Sequence, residues 1–162
     1  MVDPVMSDEA LLLELLNSAP IVDGVPTDEL RGAGATRWLR ARDIPGTPSV
    51  AREVRDAISG VVRGVESEAG LQRFLIDVRR VPEVGESGVE WRLVGARFGA
   101  RMVLAWDQAQ VQGRLRACEN DAECTLFLID RSKANARRWC SMSSCGNRLK
   151  ARRHQARVRS TG

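Results

Sequence analysis

The sequence predicts an α+β protein: a predominantly helical N-terminal domain over residues 1–115, then a small C-terminal metal-binding module over residues 116–162. Three observations predict it. Apolar residues recur at helical spacing through most of the first 115 positions. One short stretch, Val89-Glu90-Trp91-Arg92-Leu93, alternates apolar and charged residues as a half-buried strand does. All four cysteines fall in the C-terminal part, as Cys118-x5-Cys124-x15-Cys140-x4-Cys145. A chain of 162 residues has length enough for one ordinary core plus a small stapled module.

In chain order, residues 7–17 read as a short helix. Ser7 suits its N-cap, acidic residues follow, and Leu11, Leu12, Leu15 and Leu16 share a face. Pro20, Gly24 and Pro26 make residues 18–28 a loop. A second helix is expected from about Thr27 to Arg42, anchored by Trp38 and Leu39, with Gly32 and Gly34 against it. The IPGTP run at 44–48 breaks the chain. The best stripe follows: Val50, Val54, Ile58, Val61, Val62 and Val65. Another helix is expected with Leu71, Phe74, Leu75, Val78 and Val81 in step. Residues 82–88 read as a turn-rich link, 89–93 as the half-buried strand, and 99–116 as a helix running into Cys118 with no linker. Trp38, Trp91 and Trp106 lie on apolar stripes and are expected in the core. Within the module, Leu126 to Ile129 reads as a strand and Gly146 to Arg159 as a basic helix, with Leu149 and Ala156 turned inward.

Two close cysteine pairs separated by a longer insert form the arrangement a structural zinc site requires. Each pair aims two thiolates at one ion and the insert returns the second pair to close the tetrahedron. Cys118, Cys124, Cys140 and Cys145 are therefore the candidate metal ligands, with Zn2+ the expected cofactor; a redox pair and unrelated buried thiols are the alternatives. No apolar run approaches the roughly 18 residues of a membrane span. The first residues lack the basic stretch of a signal peptide. A cytoplasmic protein with no membrane partner is expected, where cysteines serve as metal ligands more often than as disulfides.

The charge is uneven. Residues 131–162 carry ten Lys or Arg and no Asp or Glu, whereas residues 1–130 sum to −6. Such an asymmetry points to a polyanionic partner at the basic end, most often nucleic acid. The candidates for contact are Arg137 and Arg138 before the third cysteine, and Arg148, Lys150, Arg152, Arg153 and Arg157 after the fourth. Arg148, Arg152 and Arg159 share one helical face. Arginine forks match phosphate oxygens and guanine edges.

The stretch LFLIDRS at 126–132, then RRWCSM at 137–142 and CGNR at 145–148, resembles the CGNR zinc finger, a family named for that tetrapeptide. The resemblance implies an N-terminal helical domain of the ABATE type, described as a stress-induced transcription regulator. The early Leu-rich helix and the stretch from Asp28 to Leu39 are compatible with it. By that resemblance the body senses a small-molecule effector or forms a homodimer. One departure stands out: five residues, Glu119 to Glu123, separate the first cysteine pair, against two to four in common knuckles. Three of the five are acidic, so this knuckle is expected to be looser, with a carboxylate able to compete as ligand.

Catalysis finds little support. Four thiolates close the zinc shell, whereas a catalytic zinc keeps a position open for water. His154 is the only histidine and sits among arginines. Asp130 reads as a cap on the following turn or a partner of Arg131 or Arg148. Trp139, between Arg138 and Cys140, reads as a lid over the sulfurs, with stacking on a nucleobase as the alternative. The expected protein is a non-enzymatic, zinc-containing DNA-binding transcription regulator. The alternatives are a zinc-stabilised ligand-binding or protein-interaction module without specific DNA binding, and an RNA-binding accessory factor.

Overall fold

The computed structural model describes residues 7–160; the side chains of Arg153, Arg159 and Ser160 lie outside the described part. Helix α1 spans Asp8–Leu16, capped by the Ser7 hydroxyl, which accepts from the Ala10 amide. Its four stripe leucines are all buried. The loop after it holds a minimal hairpin, β1 (Ile21–Val22) with β2 (Val25–Pro26).

The expected helix over 27–42 is shorter. A 3-10 turn at Gly32–Gly34 leads into α2, Ala35–Arg40. Two features delay it. Gly32 has φ +67°, which the interior of an α-helix cannot include. Asp28 turns its carboxylate onto the Leu30 amide, which fixes a local turn instead. Trp38 and Leu39 are buried as anticipated.

Helix α3, Pro48–Val62, starts at a Thr47 cap with proline in its first turn. Val54 and Ile58 are fully buried, and Ala51 and Ala57 complete the inner face. The stripe does not extend to both ends: Val50 and Val65 are exposed. Gly64, at φ +71°, turns the chain away just after the helix.

Residues 71–81 do not form the expected α-helix. A 3-10 stretch, Glu68–Phe74, buries Leu71, and the chain then straightens into β3, Arg79–Gly85. Pro82 lies within this strand rather than in a turn. Strand β4, Gly88–Val94, pairs with β3 across the two-residue turn Glu86–Ser87. The alternating stretch is thus a strand, but it is not half-buried: Val89, Trp91 and Leu93 are all exposed, so Trp91 is not a core residue.

Helix α4 runs Phe98–Val111, shorter than the expected 99–116, because the chain re-extends as β5, Leu115–Ala117. Strand β5 pairs with β6, Phe127–Ile129. Helices α1, α3 and α4 pack around Leu12, Leu15, Val54, Ile58 and Met102, and Trp106 joins them. Leu115, Phe127 and Ile129 of the β5–β6 hairpin lie in the same core. A five-residue π-type turn, Met142–Gly146, then opens α5, Asn147–Ser160. Among the described residues no helix is long and apolar enough to cross a membrane.

Candidate metal centre and basic helix

The body fixes the first cysteine pair. Asn17, at the end of α1, clamps β6: its side-chain amide donates to the Phe127 carbonyl (3.2 Å), and its oxygen accepts from the Phe127 amide (2.7 Å). The Thr125 hydroxyl donates to the Ala19 carbonyl, and Arg63 donates to the Thr125 carbonyl while lying over the Phe127 ring. Cys118 follows β5 directly, and its amide donates to the Leu126 carbonyl (2.8 Å). Both ends of the first knuckle are therefore tied to rigid structure.

The second pair comes in from the far side. Asp130, 1% exposed, caps the segment that leads to it, accepting from the Ser132 amide (2.9 Å) and the Arg137 amide (2.7 Å). These backbone donors, with Arg116 at 3.9 Å, hold its carboxyl at about 2, below the usual aspartate value. The expected turn-capping role is what is found; Arg131 and Arg148 pair elsewhere, with Glu9 and Glu123.

The four sulfurs of Cys118, Cys124, Cys140 and Cys145 all lie within 4.8 Å of one another. Cys140 Sγ is 3.7 Å from both Cys124 Sγ and Cys145 Sγ. A tetrahedral Zn–S4 centre with bonds of about 2.3 Å has sulfur–sulfur edges of about 3.8 Å, so the donor set fits that ion in number, chemistry and spacing. Three of the four thiols are buried. Burial and the neighbouring sulfurs push the Cys124 thiol well up and the Cys140 thiol to about 11. At Cys145 burial opposes ionisation too, but donors led by the Asn120 amide outweigh it and bring the thiol down. A set of thiols that resists joint ionisation is what a divalent cation reverses, because thiolate is its ligand.

Among the described residues no carboxylate joins this cluster. The acidic insert of the first knuckle has other tasks. Asn120 is buried and donates to Cys145 Sγ (3.6 Å), linking the first knuckle to the last ligand. The Cys140 amide donates likewise to Cys118 Sγ (3.5 Å). Glu119 takes the Arg138 guanidinium, and Glu123 takes both Arg148 and Arg152. Sequence reasoning missed Asn120 and Glu123; the only signal was the length of the insert, which lets a side chain fold back under the sulfurs.

Trp139 is half-buried against the cysteine cluster, as a lid would be, with Arg138 lying 5.4 Å from its ring centre. Arg137 donates to the Trp139 and Cys140 carbonyls, so it braces the second knuckle. Arg148 and Arg152 do share a face of α5, and that face is turned toward Glu123. Lys150 and Arg157 are exposed on the helix; the side chain of Arg153 lies outside the described residues. Leu149 is half-buried, but Ala156 is exposed, so the two do not pack inward together. His154 is exposed and takes no part in the sulfur cluster.

No curated protein matches the chain. The cluster is metal-binding geometry of the zinc type, and the segment that builds it, residues 114–158, matches the family model of the CGNR zinc finger.

Proposed function

We propose that this chain is a zinc-containing DNA-binding protein acting in transcription regulation, with no catalytic activity of its own. The zinc is structural: bound to four thiolates, it supplies folding energy and fixes the start of α5. One observation carries the reading: the fourth ligand, Cys145, sits at the root of a helix, Asn147–Ser160, that holds six Lys or Arg and no acidic residue. A metal-fixed cationic helix suits a phosphate backbone. Each phosphate contact adds about 0.9 to the slope of log affinity against log salt. The ion pairs of Arg148, Arg152 and Arg138 with Glu123 and Glu119 are exposed, so phosphate can exchange for carboxylate at small cost.

The test is footprinting of the purified zinc form on its own upstream DNA, beside an Arg148→Ala, Arg152→Ala double variant. Where either arginine reads a base, its loss should cost about 1–3 kcal/mol and relax specificity there. Where both touch only phosphate, binding should weaken evenly across sequences. A double variant that keeps its zinc and binds DNA as well as the parent overturns the reading.

The second reading, a zinc-stabilised ligand-binding or interaction module, draws on two features. The acidic knuckle already satisfies three of the arginines. A shallow groove of about 410 Å³ lies beside Trp38, lined by Glu29, Arg31, Arg37 and Arg42 among others. Its lining comes from α2 and the segments before and after it, and no described residue of α3 lines it.

A further inference from the structure

The β3–β4 hairpin carries the largest exposed apolar group of the described residues. Antiparallel partners point to the same face, so Val84 with Val89, Pro82 with Trp91, and Arg80 with Leu93 form one surface. Val84 is 90% exposed, Val89 64%, Trp91 58% and Leu93 42%. Contiguous exposed apolar surface of this kind marks an interaction site. The sheet has only two strands, so both outer edges lack a sheet partner.

The two edges are not equivalent. Hydrogen-bonded and non-hydrogen-bonded pairs alternate along an antiparallel ladder. Across the two-residue turn, Gly85 and Gly88 form the first bonded pair, so Val84–Val89, Pro82–Trp91 and Arg80–Leu93 are non-bonded pairs. Pro82, which has no N–H, stands at such a position, as a proline within a strand must. The residues of non-bonded pairs direct their N–H and C=O groups outward. On the β3 edge one of these is Pro82, which protects that edge. On the β4 edge they are Val89, Trp91 and Leu93, all with a free donor.

The sequence of β4 is complementary to itself. Laid antiparallel on a second copy about Trp91, Val89 meets the other copy's Leu93, Glu90 meets its Arg92, and Trp91 meets Trp91. The three outward-bonding residues then face one another in the register a ladder needs. The apolar side chains fall on one face and two opposite-charge pairs on the other. Within one chain Glu90 stands directly opposite Glu83, a like-charge pair that disfavours the hairpin. Arg92 reaches diagonally to Glu83 and leaves Glu90 beside it without an equivalent partner in the hairpin.

We infer that β4 pairs antiparallel with β4 of a second copy of this chain, centred on Trp91, to form a four-stranded sheet across a two-fold axis. The occupant is a second copy because edge, apolar row and charge order all match the strand to itself. The inference is independent of DNA binding.

Sedimentation of the full zinc-loaded chain over a wide range of concentration tests it. The parent should show a monomer–dimer equilibrium. Glu90→Arg sets a second guanidinium against Arg92 of the other copy, and Arg92→Glu sets two carboxylates together; each should weaken the dimer roughly tenfold, from two lost attractions and two repulsions. An equimolar mixture of the two single variants restores both attractions and should form the mixed dimer about as tightly as the parent. Leu93→Pro removes an outward N–H and should abolish the dimer while leaving the hairpin's inner ladder intact. A parent that stays monomeric throughout, a dimer indifferent to charge reversal, or a mixture no tighter than its components overturns the inference. Should Leu93→Pro misfold, judged by zinc content and circular dichroism, the charge series still decides.

Discussion

Arg55 carries a guanidinium into the helical body, where the residue is 4% exposed. It donates to both oxygens of Asp28, at 2.7 and 3.0 Å, to the Ser18 hydroxyl at 3.1 Å, and to Asp56 at 2.8 Å. These bonds join α3 to the loop between α1 and α2, a connection that apolar spacing alone does not reveal. Arg55 borders the apolar stripe of α3 without belonging to it, and the loop folds over it. Burial raises the Asp28 carboxyl, but the Arg55 guanidinium and the Leu30 amide outweigh it and hold the group below its ordinary value. Because the folded value is depressed, this stabilisation is present above the unfolded aspartate pKa, about 3.9, and is lost as pH falls below it. Asp28→Ala leaves a buried cation without its main partner. It should cost about 3 kcal/mol, the low end for such a break because Asp56 remains. Denaturant titration of parent and variant checks it, and the gap should narrow in acid. A variant as stable as the parent at neutral pH would show the pair to be incidental.

At the scale of elements, the helices with strong stripes were legible and the short segments were not. Leucines at 11, 12, 15 and 16 define α1, and Val54 with Ile58 defines α3, because a core-facing helix must repeat its apolar side at that period. The same logic failed at 71–81. Leu71, Phe74, Leu75, Val78 and Val81 keep a helical step by coincidence, while the chain changes from 3-10 to strand beneath them. The alternation at 89–93 identified a strand correctly but not its surroundings, since period two states which residues share a face and not what covers it. Two tryptophans separate these cases. Trp106 is buried in the helical core, so Trp106→Ala should cost about 3–5 kcal/mol. Trp91 is exposed on the hairpin, so Trp91→Ala, measured in dilute monomer, should stay within about 0.5 kcal/mol. Equal losses at the two positions would mean that the hairpin folds back onto the body.

At the scale of the molecule, the metal module is not an appendage. The cysteine spacing and the RRWCSM and CGNR segments made the four-sulfur cluster legible, because a tetrahedral site needs two converging pairs whatever holds them. The anchoring of the module was not legible, since Leu115, Phe127 and Ile129 form only a short apolar signal and Phe127 is clamped by Asn17, 110 residues earlier. This shared core sets how metal removal should spread. Zinc binding to such a site is worth on the order of 10 kcal/mol and is folding energy for the segment it closes. Cys145→Ser should therefore lose the single zinc equivalent expected of the parent. The knuckles and α5, held together by sulfur and by Glu123, should then exchange their amides freely. Strand β6 should behave differently: the Phe127 amide donates to Asn17, and its ring sits in the helical core, so partial protection should persist there. Helices α1, α3 and α4, whose contacts are mainly with one another, should keep theirs. Hydrogen exchange with metal analysis on the same samples reads all three regions. Parent protein with less than half an equivalent of zinc would remove the premise. Loss of protection in α1 and α3 along with the knuckles would make body and module one cooperative unit, with β6 as the link that carries the collapse inward.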